Sequence, residues 1–205
     1  MSGRCAFLCL FLLGIVSSLS AADDPGRPNS ATVREWQSRK YGLFIHFGLY
    51  AMLGGVWNGK QYSGNYSEQI QSDAKIPEGE YAVLAAQFRP DRWDADAIVQ
   101  LAQDAGMQFI VLTAKHHDGF SLFRTRASSF NVVDAAPYGK DIVKSLADAC
   151  HHHHMPFGVY YSTIDWHFGD IPDRRNDNPI SAAHEDFNVT QLRELMTGYG
   201  PISEI

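Results

Sequence analysis

A parallel α/β fold is what this sequence predicts, and three observations carry that reading. Three apolar runs, residues 42–50, 109–113 and 157–162, are nearly continuous, with no polar alternation through Phe109-Ile110-Val111-Leu112, as strands covered on both faces require. Segments of helical periodicity separate them, so that strand and helix alternate along the chain. The phosphate-binding glycine fingerprint of a dinucleotide fold is absent. Such a sheet is either open and doubly wound or curled into a barrel.

Composition narrows the class further. With 205 residues, 45% hydrophobic and 20% charged, the chain has the balance of one that buries a core, which excludes disorder as its main state. Seventeen Lys and Arg against 23 Asp and Glu leave a net charge of -6, so the basic footprint that nucleic acid or an anionic membrane would need is missing.

Taken in order, the elements begin with a targeting segment. Arg4, the apolar run 6–16 and the small residues Ser20-Ala21-Ala22 read as a secretory signal over residues 1–22, followed by a polar linker at 23–30 and one domain from 31 to 205. The product is then secreted or periplasmic, or lysosomal in an animal host. Removal of the signal takes Cys5 and Cys9 with it. Cys150 is left alone, no internal disulfide can form, and its place in an apolar helical run makes it a packing residue.

The first strand, 42–50, is followed by a long irregular region, 53–90, with Gly54, Gly55, Gly59 and Gly64 near its start; loops of that length are usually functional. A helix over 94–105 places Ala97, Ile98, Leu101, Ala102 and Ala105 on one face and stops at Gly106. After the second strand, a helix over 141–153 aligns Ile142, Leu146, Ala149 and Cys150 and is ended by Pro156. The third strand leads to a helix over 182–197, and Ile202-Ser203-Glu204-Ile205 reads as the opening of a fourth strand.

Catalytic side chains in parallel α/β proteins collect where strands end. Those ends carry His46, then Lys115-His116-His117-Asp118-Gly119-Phe120, then Tyr160-Tyr161-Ser162 with Asp165-Trp166-His167. Imidazole, carboxylate, phenol and indole groups on one rim suit a sugar: hydrogen bonds to hydroxyls, and aromatic faces against C–H groups. Each also has a plainer reading. His46 fits a satisfied core histidine, Asp118-Gly119 ordinary turn chemistry, the tyrosines packing, and Trp166 a cover on the rim. His116 and His117 point to opposite faces if the strand continues through them. The run His151-His152-His153-His154 fans around a helix rather than converging on an ion, so it reads as a solvated last turn, and no metal site or cofactor is expected.

Three strings in this order and spacing resemble a known family. They are Gly42-Leu43-Phe44-Ile45-His46-Phe47-Gly48-Leu49-Tyr50, Leu112-Thr113-Ala114-Lys115-His116-His117-Asp118-Gly119-Phe120 and Phe157-Gly158-Val159-Tyr160-Tyr161-Ser162. Together they are similar to the family 29 glycoside hydrolases, the retaining α-L-fucosidases. The resemblance implies the first three βα units and the start of the fourth strand of a (β/α)8 barrel, and hydrolysis of terminal α-L-fucose without a cofactor. It places fucose-binding groups on His46, His116, His117 and Tyr160, and on Glu68 within Tyr66-Ser67-Glu68-Gln69-Ile70, where Gln69 stands in place of the usual Trp. Phe47 likewise replaces a more common Trp.

In the family, the nucleophilic aspartate follows residues similar to Tyr199-Gly200-Pro201-Ile202-Ser203-Glu204-Ile205, and the acid/base residue lies further on. The resemblance therefore implies a truncated fucosidase with neither carboxylate, inactive alone, and prone to aggregate or to form a homo-oligomer that closes the exposed edge of the sheet. Its partner would be a fucosylated oligosaccharide or glycoprotein, with no nucleic acid and no membrane after signal cleavage. A non-catalytic fucose-binding protein and a metal-dependent barrel hydrolase are the alternatives. Asn65-Tyr66-Ser67 and Asn188-Val189-Thr190 are glycosylation sequons in a host that glycosylates.

Overall fold

The computed structural model describes residues 30–62, 66–169 and 180–205. The expected signal segment, nearly all of the linker and the sequon asparagine Asn65 lie outside them. The chain divides into a first unit ending at Ser38, whose described part is helix α1 (Ser30–Ser38), and a second, Arg39–Ile205, which holds every other element.

The run expected as the first strand splits in two. Strand β1 covers only Leu43–Ile45, and Leu49–Leu53 forms a short helix, α2. The split follows from where the ladder ends: the Phe47 amide donates to the Thr113 hydroxyl at 2.9 Å instead of to a strand, and Leu49 and Tyr50 turn inward and are fully buried. Beyond it, the region expected to be irregular is largely structured. A hairpin of β2 (Val56–Trp57) and β3 (Lys60–Gln61) turns through Asn58 and Gly59, both with positive φ, the Asn-Gly chemistry of a two-residue hairpin. A 3-10 turn (Ser67–Gln69), helix α3 (Ile70–Asp73), helix α4 (Glu78–Ala82) and a second 3-10 turn (Val83–Gln87) follow. Ile70, Ile76, Tyr81, Leu84, Ala85 and Phe88 anchor them in the core. At roughly 1.5 to 3 kcal/mol for each large apolar side chain removed from water, that burial outweighs the weak local propensity of four- and five-residue helices.

Helix α5 (Ala95–Asp104) is capped by Asp94, whose carboxylate accepts from the Ala97 amide at 3.0 Å. Its buried stripe is not the expected one. Val99 and Ala102 are buried and Ala95 and Ile98 half-buried, whereas Ala97 and Ala105 are exposed and Leu101 is 67% exposed. Both stripes satisfy helical periodicity, and the β-branched Val99 rather than Leu101 meets the core. Helix α6 (Ile142–His152) follows strand β4 (Ile110–Lys115); it is capped by Asp141 and buries Ile142, Leu146, Ala149 and Cys150 as expected, with Val143 and Ala147 in addition. Burial pushes the Cys150 thiol up to about 12, which suits packing and not chemistry. Of the four histidines, His151 lies 3.0 Å from the Pro201 carbonyl through Nε2, and His153 the same distance from Asp96. The remaining two are exposed.

Strand β5 (Phe157–Tyr161) completes a parallel sheet of order β1-β4-β5, with Ile45 opposite Leu112 and Leu112 opposite Val159. A register irregularity between Thr113 and Lys115 sets Lys115 opposite Tyr161. Ile202–Ile205 is not a regular strand, yet it runs beside β5: the Ser203 amide donates to the Phe157 carbonyl at 2.8 Å and the Val159 amide to the Glu204 carbonyl at 3.1 Å. Three parallel strands with helices between them agree with part of a barrel. Helix α7 (Ala182–Gly198) buries a polar stripe, His184, Asn188 and Gln191, above Leu195. Asn188 is 5% exposed and its amide donates to the Thr163 carbonyl at 2.9 Å, so this sequon is closed to glycosylation in the folded chain. Among the described residues no helix is long and apolar enough to cross a membrane.

Candidate functional site

Parallel pairing brings the ends of β1, β4 and β5 to one rim, and the sequence places polar groups there. His46 follows β1 directly, His116 and His117 follow β4, and Tyr160 is the penultimate residue of β5. The rings gather: Tyr160 stacks on His116 with centroids 5.1 Å apart and planes at 17°, and His46 lies 5.6 Å from His116 and 5.9 Å from Tyr160. His117 does not point away from its neighbour. Strand β4 ends at Lys115, the chain turns so that the Gly119 amide donates to the His116 carbonyl, and the two imidazoles sit 4.4 Å apart. Glu68 reaches the same place from the 3-10 turn. The ligand atoms of His46, Glu68 and His116 all lie within 4.8 Å of one another. All five residues expected to hold the ligand are thereby in one constellation or, for His117, against it.

Electrostatics keep the two imidazoles that follow β4 neutral. Burial, then the neighbouring His117, His46 and Lys115, lower His116 to about 3; burial, then Lys115, lowers His117 to about 4. Each imidazole is therefore uncharged at neutral pH and offers one donor and one acceptor. Burial, then Glu68, raises the Tyr160 phenol, which stays protonated. Phe44, half exposed, adds an aromatic face 4.5 Å from His46, and Tyr50 meets His116 edge-on at 5.6 Å. Neutral donors and acceptors among aromatic faces fit an uncharged, hydroxyl-rich ligand. Two imidazoles and a carboxylate in this arrangement could also close on a zinc-like ion, as the metal-dependent alternative would need.

The acidic groups at the strand ends lie underneath rather than in the site. Asp165 pairs with Lys115 at 3.0 Å with both side chains buried, and Lys115 also donates to the Ile164 carbonyl at 3.2 Å and lies 4.8 Å over the Tyr161 ring. Gly119 sits over this pair at φ 81, where a Cβ would be strained and would collide with the Asp165 carboxylate. Trp166, 2% exposed, donates its amide to the His117 carbonyl at 2.7 Å and holds that residue from below. Phe47 stacks on Trp93 at 5.3 Å and lies 5.5 Å from the Phe88 ring.

Asp118 accepts from the Tyr81 hydroxyl at 2.8 Å and the Phe120 amide at 3.2 Å, yet burial, larger than either bond, raises it to about 7. A carboxyl whose folded pKa lies above its unfolded value binds more protons when folded, so it costs stability as pH rises between the two values. Urea unfolding should therefore show stability falling from about pH 4 to about pH 7, and Asp118→Asn should flatten that slope. An unchanged slope would mean that Asp118 is ionised in the folded chain throughout.

The α-L-fucosidase family model matches residues 23–205. The chain belongs to the α-L-fucosidase family. Among relatives of this fucosidase-family chain, "Alpha-L-fucosidase" from Branchiostoma floridae is 29% identical over 175 residues, 81% of this chain and 39% of that one. Human "Tissue alpha-L-fucosidase" is 27% identical over 98% of this chain and 46% of its own length, so the chain spans less than half of the curated relatives it matches. Among solved structures, unliganded α-L-fucosidase AlfC from Lactobacillus casei is 36% identical with a TM-score of 0.76, covering 83% of this chain and 59% of that one. A family 29 α-L-fucosidase from Bacteroides thetaiotaomicron is 33% identical, also at 0.76, covering 86% and 40%.

Three neighbours of the constellation escaped the reading of this fucosidase-family sequence. Phe44 was legible, being two residues from His46 on the same strand face. Tyr50 was hidden by the helix that replaces the end of the expected strand. Ser162, whose Oγ is 2.6 Å from His117 Nδ1, was visible only as the residue after the tyrosine pair.

Proposed function

We propose that these residues supply the sugar-binding side of an α-L-fucosidase active centre acting on terminal α-L-fucose of oligosaccharides or glycoproteins, in a secreted, periplasmic or lysosomal enzyme. The convergence of His46, Glu68, His116 and Tyr160 on one rim, beside His117, carries this reading. Imidazoles, a phenol and one carboxylate hydrogen-bond the ring hydroxyls, while Phe44 and Tyr160 cover its apolar face. One similar protein, L. casei AlfC, has been solved in complex with α-L-fucose product.

The proposed chemistry is a retaining double displacement: a carboxylate attacks the anomeric carbon, an acid protonates the departing oxygen, and water then cleaves the fucosyl-enzyme with that same residue acting as base. Neither Asp118 nor Asp165 is assigned either part, since both are buried and committed to Tyr81 and Lys115. The test, on a chain that carries both carboxylates, is release of 4-nitrophenol from the α-L-fucoside but not its β-anomer, with L-fucose appearing first as the α-anomer by NMR. Hydrolysis by that chain with inversion, or none, sinks the proposal.

The His46, Glu68 and His116 cluster favours one second reading, a metal-dependent hydrolase. Prolonged chelation should leave fucosidase turnover unchanged. Loss of turnover that added zinc restores would establish the second reading instead.

A further inference from the structure

Beneath the rim, one hydroxyl decides which nitrogen of His117 carries the proton. Ser162 is 4% exposed, and its Oγ meets three polar atoms: the Ile164 carbonyl oxygen at 2.8 Å, the Ile164 amide at 3.1 Å and His117 Nδ1 at 2.6 Å. A hydroxyl has one proton and two lone pairs. The Ile164 amide donates to one lone pair. If the hydroxyl proton went to His117, the serine oxygen and the Ile164 carbonyl oxygen would face each other at 2.8 Å with no proton between them. If it goes to the carbonyl, Nδ1–H donates to the remaining lone pair and all three contacts are hydrogen bonds. The carbonyl is itself held in place by Lys115, which donates to it at 3.2 Å and is anchored by Asp165. A carbonyl oxygen accepts both donors without conflict.

We propose that Ser162 is a positioning residue that locks His117 as the Nδ1–H tautomer, so that His117 Nε2 presents a lone pair and accepts the proton of a sugar hydroxyl. The sugar as ligand rests on the function proposed above; the tautomer rests on the three contacts alone. The arrangement assigns His117 a role distinct from that of a cationic donor: it orients a hydroxyl by its hydrogen, and a ligand with an ether oxygen at that position has no proton to offer.

The experiment is NMR of the protein labelled with 15N-histidine at neutral pH, with His117 assigned by its loss in His117→Gln. The expected spectrum shows a protonated Nδ1 and a bare Nε2 for His117. Ser162→Ala should release the tautomer to a mixture and weaken L-fucose binding at least about fivefold, whereas Ser162→Thr, which keeps the hydroxyl, should restore both to within about twofold of wild type. A wild-type His117 protonated at Nε2, or a Ser162→Ala variant that keeps Nδ1–H alone, overturns the proposal, and the wild-type spectrum decides the first point whether or not the variants fold. The expected spectrum without affinity for L-fucose overturns the sugar reading of the site and upholds the part given to Ser162.

Discussion

In a chain that carries both catalytic carboxylates, His116→Ala or His117→Ala is expected to lower turnover on an aryl α-L-fucoside by at least ~100-fold. A pocket that hydrogen-bonds hydroxyls is selective because any group left unpaired on binding costs its full desolvation. His116 carries a second burden, since it stacks on Tyr160 and lies beside His46, so its removal releases two other ligand contacts. Its neutral state, with a pKa near 3, means that this loss is one of hydrogen bonding and packing and not of charge. Steady-state kcat/KM for each variant is the measurement, with circular dichroism to establish folding. Wild-type kinetics in both would place the sugar elsewhere.

Asp165→Ala should destabilise the fold by about 3 to 5 kcal/mol, because it removes the buried carboxylate that pairs with the Lys115 ammonium. Lys115 is fully buried, and besides Asp165 it meets the Ile164 carbonyl and the faces of Tyr161 and Phe187. Those contacts replace a full opposite charge only in part. Asp165 also accepts from the Phe168 amide at 2.8 Å, so the turn that carries Trp166 should loosen in the same variant. The control is Lys115→Met with Asp165→Leu: replacing both charges by apolar groups should recover much of the loss, as it does for buried pairs in general. Urea unfolding of the two proteins decides it. A single variant within about 1 kcal/mol of wild type would show that water reaches Lys115.

Much of the architecture was legible because its signals are local. Asp94, Asp141 and Ser181 cap helices, their positions ahead of apolar periodic runs being a property of four or five consecutive residues. Unbroken apolarity in residues 109–113 marks a doubly covered strand wherever its neighbours lie. The strings around His46, His116 and Tyr160 likewise named the residues that meet at the rim.

The misreadings share a cause. Leu49 and Tyr50 look like strand, but the side-chain bond between Phe47 and Thr113, 66 residues apart, ends the ladder first. Leu101 and Val99 are both apolar and fit alternative helical stripes; only the surface against which α5 packs chooses between them. His116 and His117 share one side because β4 stops at Lys115, where its register against β5 shifts. On α7 the polar Asn188 and Gln191 are buried within 2.8 Å of the Tyr161 hydroxyl, a placement that no local pattern marks.

By itself, then, the sequence determined the cores of the three strands and the three longer helices between and after them, and which chemical groups stand at the strand ends, since these depend on propensity and periodicity over a few residues. The tertiary structure alone decided that Glu68 reaches His46 and His116, that Asp118 and Asp165 are sealed beneath the rim, and that Ser162 faces His117. These are contacts between segments that the chain separates by tens of residues. Their energy comes from burial and from hydrogen bonds made in the absence of water, neither of which exists until the sheet has closed around them.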